Sequence, residues 1–149
     1  GIPIRILGVA GNTTQDGLDR LDQALRLEPR VVLLCLGGND SLRGLSMDQA
    51  FDNLSAMIDA FHETGSFVVL IGIRSASLRD SNAERFKRLA REKNVLLVPD
   101  ILDGVFGHSS LMSDYIHPND AGYRFIAERL ARELHPFLDQ LQPASSGEI

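Results

Sequence analysis

The chain has no tryptophan, two tyrosines and a single cysteine, Cys35. One cysteine excludes an internal disulfide and a cysteine-based metal site. Set inside the apolar run 31–36, it reads as a small buried core residue rather than a reactive thiol. There is no basic stripe and no Lys/Arg cluster. With so few aromatics, nothing provides phosphate neutralisation or base stacking, so nucleic acid is not expected as a partner. Long apolar runs are missing too. The longest, 31–36 and 67–73, are strand-length, far short of the roughly 20 residues of a membrane span. The start, Gly1-Ile2-Pro3, shows no initiator Met, basic n-region or cleavage motif. The expectation is a removed signal or a domain whose beginning is not included, and the compartment is not legible.

What is present describes an ordinary globular chain. Hydrophobic residues make up 44% and charged residues 23%, which argues against disorder and fibrous repeats. A length of 149 residues leaves room for one domain, expected over residues 1–141, with a flexible Pro/Ser/Gly-containing tail over 142–149. The net charge of −5 suits a solvated surface.

Strand-like and helix-like segments alternate. Apolar runs at 4–9, 31–36, 67–73 and 95–98 read as strands, and the continuous Val/Leu run at 31–36 suits a strand buried in a parallel sheet. Thr13-Thr14 offers a cap for a helix with Leu18, Leu21, Ala24 and Leu25 on one face, ending before Pro29. Ser46-Met47-Asp48-Gln49 fits a capping box, followed by Ala50, Phe51, Leu54, Ile58 and Phe61 at helical spacing. A polar loop over 74–80 leads to a second capping box at Ser81-Asn82-Ala83-Glu84 and a helix with Phe86, Leu89 and Ala90 inward. After a loop over 101–113, the last helix is expected over 119–137, with Phe125, Ile126, Leu130 and Leu134 inward. Such alternation predicts a parallel sheet with helices on both faces. Ligands bind beyond the carboxyl ends of such strands, and each end carries a polar cluster: Gly11, Asn39, Arg74 and the segment from Asp114 to His117.

Asp114-x-x-His117 can set a carboxylate against imidazole Nδ1 and leave Nε2 free as a base. Alone, the pair reads as readily as a helix-entry Asp beside a surface His. Gly37-Gly38-Asn39-Asp40 combines close backbone approach with an amide donor suited to an oxyanion, or is a plain strand-to-loop turn. Gly11-Asn12-Thr13 offers another backbone N–H, or a turn ahead of a helix cap. The remaining histidines carry less. His62 and His135 sit late in helices, where a cation suits the dipole, and His108 lies in a Gly/Ser loop.

Taken in order, Gly11, Gly37-Gly38-Asn39-Asp40 and Asp114-Tyr115-Ile116-His117-Pro118-Asn119 resemble the SGNH (GDSL) hydrolases, in particular bacterial thioesterase, lysophospholipase and arylesterase types. The resemblance extends to Met112-Ser113 and Gly122-Tyr123 and covers the whole chain. It implies a flavodoxin-like three-layer α/β/α sandwich and a serine esterase working through an acyl-enzyme on acyl esters or thioesters, with no cofactor and no metal. It also implies His117 as general base, Asp114 as its orienting carboxylate, and Gly11 (backbone N–H) with Asn39 (side-chain amide) as oxyanion donors.

The family's Gly-Asp-Ser block, which holds the nucleophile, does not occur in the chain. Ser41 follows Asp40 but reads as a turn-stabilising residue, and Ser75, Ser77, Ser109, Ser110 and Ser113 have no motif around them. By resemblance, the strand carrying that block lies inside the sheet, between residues 4–9 and 31–36. The expectation is therefore an N-terminally incomplete hydrolase domain whose first, internal strand is missing, inactive by itself. A carbohydrate-deacetylating esterase of the same fold, a non-catalytic binding relative and a flavodoxin-like cofactor binder using Gly11-Asn12-Thr13-Thr14 as a phosphate loop are the alternatives.

Overall fold

Three apolar runs make one parallel sheet: β1 (Val31–Leu34), β2 (Phe67–Ile71) and β3 (Leu96–Val98), in the order β1-β2-β3. Val31 faces Phe67 and Val69 faces Leu96 in register. The computed structural model describes residues 3–73 and 82–141. The loop expected over 74–80, with Arg74, Ser75 and Ser77, the capping residue Ser81 and the tail over 142–149 lie outside the described residues. The chain divides into two compact units, Gly1–Ile101 and Leu102–Ile149.

In the first unit, alternation along the strands puts Val32, Leu34, Val68, Leu70 and Leu97 on one face of the sheet. There they join Phe51, Leu54, Met57, Ile58 and Phe61 of α4 (Met47–Glu63) and Phe86, Leu89 and Ala90 of α5 (Asn82–Lys93) in one core. Each fully buried aliphatic side chain contributes about 1.5–3 kcal/mol. Phe51 and Phe86 meet edge to face at 4.9 Å, and the Arg85 guanidinium lies 4.4 Å from the Phe51 ring centre while its tip reaches Asp48 at 2.7 Å. Only half of the capping box expected at Ser46 forms. Ser46 Oγ accepts the Gln49 N–H, but the Gln49 side chain turns instead to donate to Asn53. Just past the strand ends, Gly72 donates to Val98 O at 2.8 Å, and a Cβ there would stand 2.3 Å from Pro99 O. Only glycine permits that approach.

Several sequence expectations are corrected. Residues 4–9 form no strand, and Ile4 and Ile6 are 80% and 86% exposed. A strand exists only by pairing; the one that the resemblance places beside this segment has no counterpart among the described residues, so β1 is an edge. For the same reason Cys35 is exposed rather than a core residue, as is Leu33 beside it on that face. The helix expected after Thr13 is two, α1 (Thr14–Asp19) and α2 (Leu21–Leu25), broken at Arg20. Both pack on α4, and Gly17 lets α1 approach so closely that a Cβ would lie 2.3 Å from Leu36 Cδ1. The Gly-Gly-Asn-Asp cluster is not an open turn: Gly37, at φ 105°, caps a short helix α3 (Gly38–Leu42) that includes Ser41.

In the second unit, a 3₁₀ turn over Ser109–Leu111 packs on α6 (Asp120–Leu141). Ile126 and Leu134 are buried as expected, but Phe125 is exposed. The helix runs to Leu141, beyond the expected end, passing through Pro136. That proline removes one intrahelical hydrogen bond, while Phe137 and Leu138 continue the half-buried stripe begun by Leu134. No helix among the described residues is long and apolar enough to cross a membrane.

Candidate active site

In the second unit, residues 110–119 are clamped at their base. Met112 and Pro118 form an antiparallel bridge, and Ser113 N–H donates to His117 O at 2.8 Å. Asn119 caps α6 by accepting the Gly122 N–H, while its amide donates to Ser110 O and its own N–H to Leu111 O. A methyl on Gly122 would meet Leu111 O at 2.2 Å, so glycine is needed for the loop to lie on the helix. In the sequence Asn119 marks the start of the last helix and closes the motif around His117, and neither reveals the clamp. Its clamping role joins a local cap to a carbonyl nine residues away.

The clamp presents Asp114 and His117. Asp114 Oδ1 accepts the N–H groups of Ile116 and His117, both at 2.7 Å, closing an Asx-type turn. Asp114 Oδ2 lies 2.9 Å from His117 Nδ1. The His117 side-chain hydrogen bond, followed by the two backbone N–H groups, holds the Asp114 carboxyl down at about 2. Being ionised, the carboxylate can only accept. His117 Nδ1 therefore donates to it and Nε2 is left as the acceptor. Among the described residues no hydroxyl bonds to His117, whose side chain is 65% exposed.

This depressed value has a checkable consequence. A carboxylate titrating lower when folded contributes stability above its ordinary range, near 3.8, and loses that contribution as pH falls through about 2. The Asp114 carboxyl carbon, followed by NMR in the full-length protein, is expected to titrate near 2. In His117→Ala the midpoint rises partway to the ordinary value, because both backbone donors remain. A wild-type midpoint near 3.8 would contradict the turn geometry.

In the first unit, Asn12 N–H bonds back to Val9 O, closing a turn with Gly11 in third position at φ 81°. That conformation favours glycine. The Gly11 N–H has no acceptor among the described residues. Asn39 Nδ2 donates one hydrogen to Asn12 O at 2.9 Å, so its second amide hydrogen is available to a ligand. Structure thus brings Gly11 and Asn39 together across one short turn, and separately brings Asp114 to His117.

Three further residues brace the same turn. Arg43 donates to Gly11 O at 2.7 Å. Asp40 accepts from Thr14 N–H at 3.0 Å and from Thr14 Oγ1 at 2.7 Å. Composition and spacing do not single out these contacts, which join residues 26 and 32 positions apart. They also count against a phosphate-cradling loop at Gly11-Asn12-Thr13-Thr14. The Thr13 hydroxyl already donates to Asp16 and the Thr14 hydroxyl and N–H to Asp40, and a phosphate there would face both carboxylates. No group of three or more His, Cys, Asp or Glu side chains fit to hold a metal occurs among the described residues.

Residues 1–125 match the family model described as GDSL-like lipase/acylhydrolase. An arylesterase of Vibrio mimicus is 35% identical over 133 residues, 85% of this chain and 66% of the relative. The thioesterase 1/protease 1/lysophospholipase L1 of Escherichia coli is 32% identical over 138 residues, 88% of this chain and 66% of the relative. The chain therefore spans just under two thirds of the length of these relatives. The crystal structure of a psychrotrophic esterase, EstA from Pseudoalteromonas, inhibited by monoethylphosphonate, superposes with a TM-score of 0.82 at 26% identity, covering 89% of this chain and 76% of the other.

Proposed function

The chain belongs to the GDSL-like lipase/acylhydrolase family, and from that membership we propose that it supplies the base and the oxyanion donors of a carboxylic ester hydrolase. The substrates are small acyl esters or thioesters, by likeness to the arylesterase and thioesterase relatives. The single observation that carries the reading is the Asp114–His117 pair: a carboxylate bonded to Nδ1 of a largely exposed imidazole whose Nε2 has no partner among the described residues.

In this mechanism His117 Nε2 takes the proton of a serine hydroxyl as its oxygen attacks the acyl carbon. Negative charge gathers on the former carbonyl oxygen and is met by the Gly11 N–H and the second Asn39 amide hydrogen. His117 then returns the proton to the departing alkoxide or thiolate, leaving an acyl-enzyme that water cleaves by the same route. Asp114 stays ionised throughout, holds the ring tautomer and steadies the imidazolium. The family's Gly-Asp-Ser block has no counterpart in these 149 residues, so the roles proposed here are those of His117, Asp114, Asn39 and Gly11 alone.

The test incubates the full-length protein with p-nitrophenyl acetate, longer p-nitrophenyl esters and an acyl thioester, with and without a serine-directed phosphonate. Hydrolysis that stops in step with one phosphonate added per molecule, located on a serine by mass spectrometry, is the expected result. Absence of both turnover and adduct would overturn the proposal and favour a non-catalytic relative.

A further inference from the structure

The least expected group in the first unit is the carboxylate of Asp40, only 4% exposed. A buried charge is costly unless well bonded, and among the described residues the bonds that the Asp40 carboxylate accepts all come from one residue, Thr14. Thr14 is itself fully buried, and its hydroxyl oxygen accepts from Asn53 Nδ2 of α4 at 3.2 Å. Asp40 therefore ties α3, through Thr14, to the longest helix of the core. Its neighbour Asn39 spans the same gap from the same turn of helix, reaching Asn12 O at 2.9 Å.

We propose that Asp40 is a positioning residue: by holding Thr14 it sets the distance between the Gly11 N–H and the Asn39 amide, and so the geometry of the oxyanion site. The inference rests on the oxyanion roles assigned above. It follows from the connectivity. Among the described residues no strand pairing joins the segments that carry Gly11 and Asn39, so their separation depends on side-chain struts between them. Of the three struts, Arg43 to Gly11 O is exposed and Asn39 to Asn12 O is part-buried, whereas Asp40 to Thr14 is buried and made twice over. Water competes least with the buried strut, which makes it the stiffest.

A double-mutant cycle in the full-length protein tests this, read as kcat and KM for p-nitrophenyl acetate. Asn39→Ala lowers kcat about 10²–10³-fold if the amide meets the oxyanion. Asp40→Ala, in which Asn39 is present but misplaced, lowers kcat about 10–100-fold with KM within about twofold. In the Asn39→Ala background the Asp40→Ala effect shrinks to a small factor, since there is no longer an amide to place. Plain loss of stability would not be absorbed in this way. Should Asp40→Ala not fold, Thr14→Val removes one of its donors without loss of volume, and it lowers kcat in the same sense while Thr14→Ser retains it. If Asn39→Ala leaves kcat unchanged, the oxyanion reading fails. If Asn39→Ala lowers kcat but Asp40→Ala and Thr14→Val do not, or if the cycle is additive, the positioning role alone is wrong.

Discussion

His117→Ala is expected to lower kcat for p-nitrophenyl esters in the full-length protein by about 10⁴–10⁶-fold, as removal of the base does in comparable serine hydrolases. Without an imidazole at Nε2, the nucleophile keeps its proton and the leaving group departs unprotonated. Residual turnover reflects only substrate binding and the oxyanion donors. The fold should be little affected, because the ring is largely exposed and, among the described residues, bonds only to Asp114. The Asn119 clamp and the Met112–Pro118 bridge do not involve it. A melting temperature only slightly lowered, beside collapsed turnover, is the predicted signature. Retained activity with a correct mass would remove His117 from the mechanism, whatever its neighbours do. Asp114→Asn is expected to cost about 10⁴-fold, because an amide no longer enforces the Nδ1–H tautomer.

The second large effect concerns the core. Leu54→Ala should destabilise the protein by about 2–5 kcal/mol, the cost of lost burial plus a cavity that rigid neighbours fill only in part. Leu54 has no exposed surface and sits on α4 among Phe51, Met57, Ile58 and the inner face of the sheet. Set against a typical total stability of about 5–15 kcal/mol, this is a large fraction. Equilibrium urea unfolding should show a lower midpoint with an unchanged m-value. Leu33→Ala, at a position 49% exposed, is the matched comparison and is expected to cost under about 1 kcal/mol. Equal losses at the two positions would mean that Leu33 does not lie on an open face of β1.

Legibility followed the range of the interactions. The inward faces of α4 and α5 were readable because Phe51, Leu54, Ile58, Phe86 and Leu89 repeat at helical spacing. Asp114 and His117 were readable as a pair because they meet within one turn, three residues apart. The segment over 4–9 was misread because a short apolar run marks the capacity to pair, while a strand forms only where a partner edge stands beside it. Cys35 was misread for the same reason, since among the described residues its run lies at the edge of the sheet and the side chain is exposed. Arg20, where the first helix breaks, has neither Gly nor Pro beside it. On either side of it α1 and α2 each pack on α4.

The sequence by itself determined the parallel α/β character, the strands β1, β2 and β3 with the helices α4, α5 and α6, the family and four candidate site residues. Each of these rests on local periodicity or a short ordered motif. Tertiary structure alone decided that Gly37-Gly38-Asn39-Asp40 enters a helix, that one Asn39 amide hydrogen is spent on Asn12 O, and that Asp40 and Arg43 reach back 26 and 32 residues to brace the turn at Gly11. The physical reason is that a hydrogen bond between distant side chains leaves no periodic trace in the chain. Its partners become known only when packing has brought their segments together.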